Sequence, residues 1–464
     1  MKLLTIEETI KITRGKHIAG KLSRKLPAIS IDTRTMKKGQ TFIPIVGENH
    51  NGHTFISAAL KKGATCIFCE HRYLPAARKE LNKNKNYIAG KIAVIGVANS
   101  RLALGAVARW RRGQFQKLKV IAITGSNGKT TTKEIIAALL KKKYKIHKTK
   151  GNSNNEIGVP LSILRMPENT DIFVAELGIN HFHELEYLSK VIHPHVTVIT
   201  NVGPTHLEFL RDIQGVARAK AEIIPFTREL LITSAADRFS HFFTSQAFCP
   251  TRVVDNEEDS IFDKIQYRDE KGWKVQYRGH WMEIKMLGMY NLINIQMAIC
   301  VAEHFKIPVK TIREVIAKQR PVEGRTKLIA ADGVKILSDT YNANPAAVAE
   351  AMSLLAELAQ SNRKIAVLGS MKELGIKAQQ LHREIGSVVE ELEFDALFTI
   401  GAEAADIKKG ITESHIVVKH ARREKDLIDA LKKYIEPGDY VLIKGSRIME
   451  MENIVNALIK TKGK

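Results

Sequence analysis

The chain has 464 residues, too long for one ordinary core and long enough for two to four domains of common size. Hydrophobic residues make up 44% and charged residues 26%, which excludes disorder as the main state, and no run approaches the roughly 18 consecutive apolar residues of a membrane span. The formal net charge is +23, of which residues 1–118 carry +17 from 23 Lys and Arg against 6 Asp and Glu, a field that favours nucleic acid, an acidic membrane surface or a phosphorylated small molecule.

The N-terminus, Met1-Lys2-Leu3-Leu4-Thr5-Ile6-Glu7-Glu8, has acids where a signal peptide is apolar, and four cysteines make no disulfide scaffold in so long a chain. Cytoplasmic residence is the expectation. Residues 1 to about 118 mix short apolar runs with turn signals: Thr41–Ile45, Cys66–Cys69 and Ile92–Val97, then a helix near Ser100–Arg112. They read as a small α/β domain. Cys66-Ile67-Phe68-Cys69 has CxxC spacing, but it lies in an apolar run with no second pair, so two small strand residues are favoured over a metal or redox site. Arg111-Arg112-Gly113-Gln114 reads as a basic linker.

From Val120 the pattern becomes strands followed by helices, with strands at Val120–Ile123, Ile172–Ala175 and Val196–Thr200, which predicts a mainly parallel sheet covered on both faces. Beyond Gly324-Arg325 the alternation resumes at Val334–Leu337, Ile365–Leu368, Ala396–Ile400, Ile416–Val418 and Tyr440–Ile443. Helices at Ala346–Leu358 and Gln379–Leu392 lie among these strands. A Rossmann-like third domain follows. The expected fold is α/β in three domains: 1–113, a central P-loop ATPase-like parallel-sheet domain 114–324, and 325–464.

The strand at 120–123 leads into Thr124-Gly125-Ser126-Asn127-Gly128-Lys129-Thr130-Thr131-Thr132 and then a helical run. Glycines at 125 and 128 let backbone N–H groups approach phosphate oxygens, Lys129 offers a cation to the β- and γ-phosphates, and Thr130 offers a hydroxyl to Mg²⁺. Thr124 to Thr131 are therefore the candidate nucleotide cradle, although Ile123 stands where G-x-x-x-x-G-K-[ST] has its first glycine. Glu176 and His206 each lie just past a predicted strand end, where α/β sheets hold ligands, and are candidates for the metal. Each alone also reads as a helix cap or an ordinary loop histidine.

These residues resemble the Mur ligase family from about residue 30 to 455. The resemblance rests on Ser30-Ile31-Asp32-Thr33-Arg34, Gly47-Glu48-Asn49-His50-Asn51-Gly52-His53, the short T-G-x-x-G-K-T-T loop, Glu176-Leu177-Gly178 and Thr200-Asn201-Val202-Gly203-Pro204-Thr205-His206. Within the family, Asn154-Asn155-Glu156-Ile157-Gly158 and Asp339-Thr340-Tyr341-Asn342-Ala343-Asn344-Pro345 resemble the dipeptide-adding branch. The resemblance implies an ATP- and Mg²⁺-dependent amide ligase, the N-terminal domain binding the UDP-sugar and the C-terminal domain the incoming dipeptide. It implies transfer of D-alanyl-D-alanine to UDP-N-acetylmuramoyl-tripeptide by way of an acyl phosphate.

Carried over onto this sequence, Lys129 and Thr130 would meet the ATP phosphates and metal, and Glu176 and His206 the metal. Asn291, Asn294, Arg325 and Asp339 would hold the nucleotide. Lys220 matches the lysine that is carbamylated in many family members and would then join the metal; otherwise it is an exposed helical lysine. Thr33, Arg34, Asn154, Asn155, Tyr341, Asn342 and Asn344 fall in the substrate motifs. Tyr290 replaces the family's usual histidine, and Ser370 its usual aspartate, which removes a carboxylate near the C-terminal domain's active face. A monomer is expected, with a peripheral contact to an acidic membrane surface and no nucleic acid. The rival readings are an amide ligase with another amino-acid acceptor, a nucleic-acid-stimulated P-loop ATPase suggested by the basic N-terminal region, and a pseudo-enzyme scaffold.

Overall fold

The computed structural model describes residues 3–47, 50–255 and 257–459, so the motif residues Glu48 and Asn49, and the start Met1-Lys2, lie outside the described residues. The chain divides into two compact units. The first is Met1–Val120 with Lys145–Leu177 and Glu186–Pro194; the second is Ile121–Tyr144 with Gly178–Leu185 and His195–Lys464. Among the described residues no helix is long and apolar enough to cross a membrane.

The first unit opens with a helix, Ile6–Thr13, whose early acids are explained locally: Glu8 and Thr5 form a reciprocal capping box. Its sheet contains β1 (Lys16–Ala19), β2 (Ile29–Ser30), β3 (Thr41–Phe42), β4 (Cys66–Glu70) and β5 (Ala93–Val97), ordered β1-β5-β4-β3-β2. All neighbours are parallel except β1 with β5. The expected strand Thr41–Ile45 stops at Phe42, and Pro44, which has no N–H for a ladder, lies just beyond. Cys66 and Cys69 are free thiols on β4, fully buried, and burial pushes both up to about 12, so they stay neutral core residues.

The basic stretch at 111–114 is not a linker. Arg111 to Gly113 form the last turn of the helix Ser100–Gly113, which Asn99 caps by accepting from the N–H groups of Arg101 and Leu102. Arg112 is buried, and its guanidinium donates to the carbonyls of Ile192, Phe115 and Leu118 at 2.9, 3.3 and 3.5 Å. A buried arginine is tolerable when its N–H groups find acceptors in this way. The unit also holds the parallel strand pair Ile146–Lys148 and Ile172–Glu176.

In the second unit four parallel strands run in the order Thr251–Val254, Leu230–Ser234, Val196–Ile199, Lys119–Thr124. The strand at 119–124 is buried from Val120 onward, as its unbroken apolar run requires. An antiparallel three-stranded sheet, Lys264–Tyr267, Trp273–Tyr277 and His280–Ile284, follows; the alternating burial of 273–277 is that of a sheet with one wet face.

The C-terminal sheet orders Lys327–Ala331, Val334–Ser338, Tyr440–Lys444, Lys364–Gly369, Ala396–Ile400 and Val417–Ala421, with only the first strand antiparallel. Successive residues face opposite sides. Ala366 and Leu368 join a core with the helices Pro345–Ala359 and Ala378–Glu391, while Ile365 and Val367 join another with Glu424–Tyr434 and Glu452–Ile459. This is the doubly covered, Rossmann-like layer arrangement. The strand expected at 416–418 lies at 417–421, beginning one residue later.

Candidate active site

The loop after the strand Lys119–Thr124 needs its glycines. Gly125 has φ +148, and a Cβ there would sit 1.9 Å from the Thr200 hydroxyl oxygen. Gly128 has φ +79, and a Cβ would sit 2.6 Å from Oδ1 of the buried Asn294. Both positions combine left-handed backbone with no room for a side chain. Helix Lys129–Leu140 begins at once, with Thr130 in its first turn and Thr131 buried. The backbone turn is fixed from the next strand: Asn127 N–H donates to Asn201 Oδ1 at 2.8 Å, and the Thr200 hydroxyl donates to the Asn127 carbonyl at 2.5 Å. Ser126 Oγ accepts from Gly203 N–H at 2.8 Å. Lys129 Nζ lies over the loop, donating to the carbonyls of Gly125 and Ser126 at 2.6 and 3.0 Å. A G125A substitution is expected to weaken ADP binding at least about tenfold and to lower the melting temperature, since the clash is with a tethered side chain and the φ is strained. Calorimetric titration with ADP checks this.

Lys220 is not an exposed helical lysine. It lies on Ile213–Ala221, 2% exposed, and burial together with the like charge of Lys129 holds its amine well below the usual lysine range, against the opposing pull of Asp237. Asp237 accepts from the N–H groups of Val202 and Phe239, and burial raises its carboxyl above the ordinary value. The site thus contains a buried lysine amine whose charged form is disfavoured, beside a carboxyl. His206 has φ +55 and precedes the short helix Leu207–Leu210. Its Nδ1 lies 2.5 Å from Glu373 Oε2, and this contact with the imidazole holds the Glu373 carboxyl below its ordinary value against the effect of burial.

The same unit brings residues 324–345 to the loop. Asn344 caps the helix Pro345–Ala359 through Ala347 N–H and donates its Nδ2 to Asn127 Oδ1 at 2.7 Å. Asp339 follows the strand Val334–Ser338; it is buried, accepts from Thr326 N–H at 3.2 Å and pairs with Lys444. Lys444 also donates to the Asn342 carbonyl at 3.0 Å. The Arg325 guanidinium stacks 3.9 Å over the Tyr341 ring. Asn291 is buried and donates to the Leu287 carbonyl. The Tyr290 hydroxyl shares a 2.7 Å hydrogen bond with Thr326, and burial, reinforced by Asp339, keeps the phenol protonated. Ser370 is fully buried and its Oγ accepts from Ala404 N–H, so this position is part of the sheet-end packing.

The remaining candidates lie in the first unit. Glu176, the last residue of its strand, is buried, and Oε1 accepts from Asn154 Nδ2 at 3.1 Å. Asn155 accepts from Gly158 N–H at the start of the helix Gly158–Leu164. Arg34 is exposed and grips Asp32 with two guanidinium N–H groups, which holds that carboxyl below its usual range; Thr33 lies between them. Taken separately, the Thr130 hydroxyl in the second unit and the Glu176 carboxylate in the first are oxygen donors of the type a hard cation such as Mg²⁺ takes. Among the described residues no three His, Cys, Asp or Glu side chains gather as a metal cage.

Asn201, Asp237, Glu373 and Lys444 also belong to this constellation, yet their roles were not read from sequence. Asn201 sits inside a motif that carries the resemblance, whereas Asp237, in Ala235-Ala236-Asp237, has no local signal at all.

Comparison with known proteins agrees with this geometry. Three family models match in order: Mur ligase family, catalytic domain, over residues 25–112; Mur ligase middle domain over 123–302; and Mur ligase, glutamate ligase domain, over 324–447. The chain is 34% identical over 443 residues to the UDP-N-acetylmuramoyl-tripeptide--D-alanyl-D-alanine ligase of Bacillus subtilis, covering 93% of each. It is 30% identical over 464 residues to the protein of the same name from Treponema pallidum, covering 99% of this chain and all of the relative. Among solved structures it is similar to MurF from Acinetobacter baumannii (27% identity, TM-score 0.86, 99% and 100% coverage). It is also similar to MurF ligase from Thermotoga maritima in complex with ADP (28% identity, TM-score 0.81, 94% and 97% coverage). With its loop, its three α/β domains and its relatives in agreement along the chain, this protein belongs to the Mur ligase family.

Proposed function

We propose that the chain joins D-alanyl-D-alanine to UDP-N-acetylmuramoyl-tripeptide at the expense of ATP, forming UDP-N-acetylmuramoyl-pentapeptide for peptidoglycan synthesis. The observation that carries this reading is the 2.7 Å bond from Asn344 to Asn127, which ties the dipeptide-branch segment 339–345 to the nucleotide loop. Amide formation in water needs an activated carboxylate. The tripeptide's terminal carboxylate oxygen attacks the γ-phosphorus, the bond to the β-phosphate oxygen breaks, and an acyl phosphate and ADP result. The dipeptide's free amine then attacks the carbonyl carbon, inorganic phosphate leaves, and the amine's extra proton is released.

The protein's contribution is positioning and charge neutralisation. Backbone N–H groups from Gly128 to Thr131, at the helix N-terminus, take the phosphate oxygens, and Lys129 places its cation between the β- and γ-phosphates. Thr130, Glu176, His206 and a carbamylated Lys220 would be the protein donors to Mg²⁺, which would supply further positive charge for the transferred phosphoryl group. Asn291, Asn294, Arg325 and Asp339 orient the nucleotide. Thr33 and Arg34 meet the UDP-sugar, while Asn154, Asn155, Tyr341, Asn342 and Asn344 meet the peptide ends. We assign the functions to 1–113, 114–324 and 325–464, working as a monomer.

Phosphate release from ATP and UDP-N-acetylmuramoyl-tripeptide is expected to be at least about a hundredfold faster with D-alanyl-D-alanine than with diaminopimelate or glutamate, because the wrong acceptor leaves buried polar groups unpaired. Equal rates with glutamate would reject the assigned acceptor.

A further inference from the structure

In the first unit a cavity of about 770 Å³ opens at the N-terminal ends of β3, β4 and β5. Lys38 and Gly39 precede β3, Gly63 to Thr65 precede β4, and Lys91 and Ile92 precede β5. The substrate motif Asp32-Thr33-Arg34 instead leaves the C-terminal end of β2, so the two features belong to opposite strand ends. Four cations, Lys21, Arg24, Lys38 and Lys91, line the cavity and no carboxylate does. Arg24 Nη1 donates to the Lys91 carbonyl at 2.5 Å, which fixes the guanidinium in the wall.

Two lining glycines leave the backbone bare. Gly39 (φ +88) and Gly90 (φ +65) each have open space where a Cβ would stand, with no atom within 4 Å. The flanks carry exposed aliphatic side chains: Leu22, between lining residues 21 and 23, is 40% exposed, and Ile88, between lining residues 86 and 89, is 70% exposed. A basic hollow flanked by aliphatic side chains matches a surface that is anionic outside and apolar just beneath. The cavity lining contains no aromatic side chain on which a base could stack, which disfavours single-stranded nucleic acid. Its volume also far exceeds that of a lone phosphate ion.

We propose that this face docks on an acidic phospholipid membrane, the cavity receiving a phosphate headgroup while Leu22 and Ile88 enter the boundary between headgroups and acyl chains. The inference gives the basic excess of residues 1–118 a place of action. It stands on this unit's own geometry, so coupling activity with soluble substrates tests the ligase reading separately.

The test is co-sedimentation of the full chain with vesicles of phosphatidylcholine alone or with about one-third phosphatidylglycerol. Binding is expected at least about tenfold tighter on the acidic vesicles, and the K21E/R24E/K38E/K91E variant is expected to lose at least about tenfold of that affinity. L22S/I88S is expected to lose several-fold. A variant with the same charge change at exposed positions of the other unit, K141E/K142E/K432E/K433E, should bind nearly as the unaltered chain does, and all variants should keep coupling activity without vesicles. Four results would overturn the proposal: equal binding to neutral vesicles, undiminished binding by the cavity variants, equal loss in the charge-matched control, or release by millimolar inorganic phosphate at constant ionic strength. Binding of an oligonucleotide that the cavity variants alone lose, with vesicle binding intact, would assign the face to nucleic acid instead.

Discussion

K129A is expected to lower kcat/KM for ATP-dependent coupling by at least about 10³-fold, the scale of losing a positioned cation from a phosphoryl-transfer site. The residue stands at the first position of the helix behind two glycines that admit no side chain, and its ammonium lies over the loop's own carbonyls. The loop is also held by Asn201 and Thr200, so removal of the ammonium costs little stability. The melting temperature should move by only a few degrees while ADP affinity and turnover collapse. Retention of more than about a tenth of the activity, in a folded variant, would remove Lys129 from the mechanism.

The second large effect is at Lys220. A neutral amine is the form that adds CO₂, its nitrogen bonding to carbon and one proton leaving, and the buried environment of Lys220 favours that form. K220R keeps a cation that forms no carbamate under these conditions and is expected to reduce turnover by at least about 10²-fold. With ¹³C-labelled bicarbonate the unaltered protein should show a carbamate carbon resonance that K220R lacks, a readout independent of activity. An unchanged spectrum in K220R would refute the modification. The sign of the pH dependence follows from the lowered pKa. Between the folded value and the ordinary lysine value the unfolded chain binds the extra proton, so this residue's contribution to stability is most favourable at high pH and falls as pH drops towards the folded value.

Much of the α/β framework was legible because its strands are apolar runs bounded by turn residues. Val120–Ile123, Ala396–Ile400 and Tyr440–Ile443 are buried on both faces of covered sheets, and such runs need no alternation to be seen. The three strands from 264 to 284 escaped notice because one face is wet: in Lys264-Ile265-Gln266-Tyr267 polar residues interrupt each apolar one. Arg111 to Gln114 reads as a linker since charge usually means solvent, whereas Arg112 is turned inward onto the carbonyls of Phe115, Leu118 and the distant Ile192. The loop glycines and Lys129 were readable from local spacing. Lys220 was not: its helix supplies it, but its surroundings come from Asp237 and Lys129, respectively 17 and 91 positions away, and only the folded chain joins them. The same holds for Asn344, whose partner Asn127 is separated from it by 217 residues.

The central claim is tested most directly by incubating the purified chain with ATP, Mg²⁺, UDP-N-acetylmuramoyl-tripeptide and D-alanyl-D-alanine and weighing the products by mass spectrometry. The account predicts UDP-N-acetylmuramoyl-pentapeptide, ADP and phosphate in equal amounts, and none of them with K129A. ATP hydrolysis without the pentapeptide, or ligation of a different acceptor in preference to the dipeptide, would contradict it.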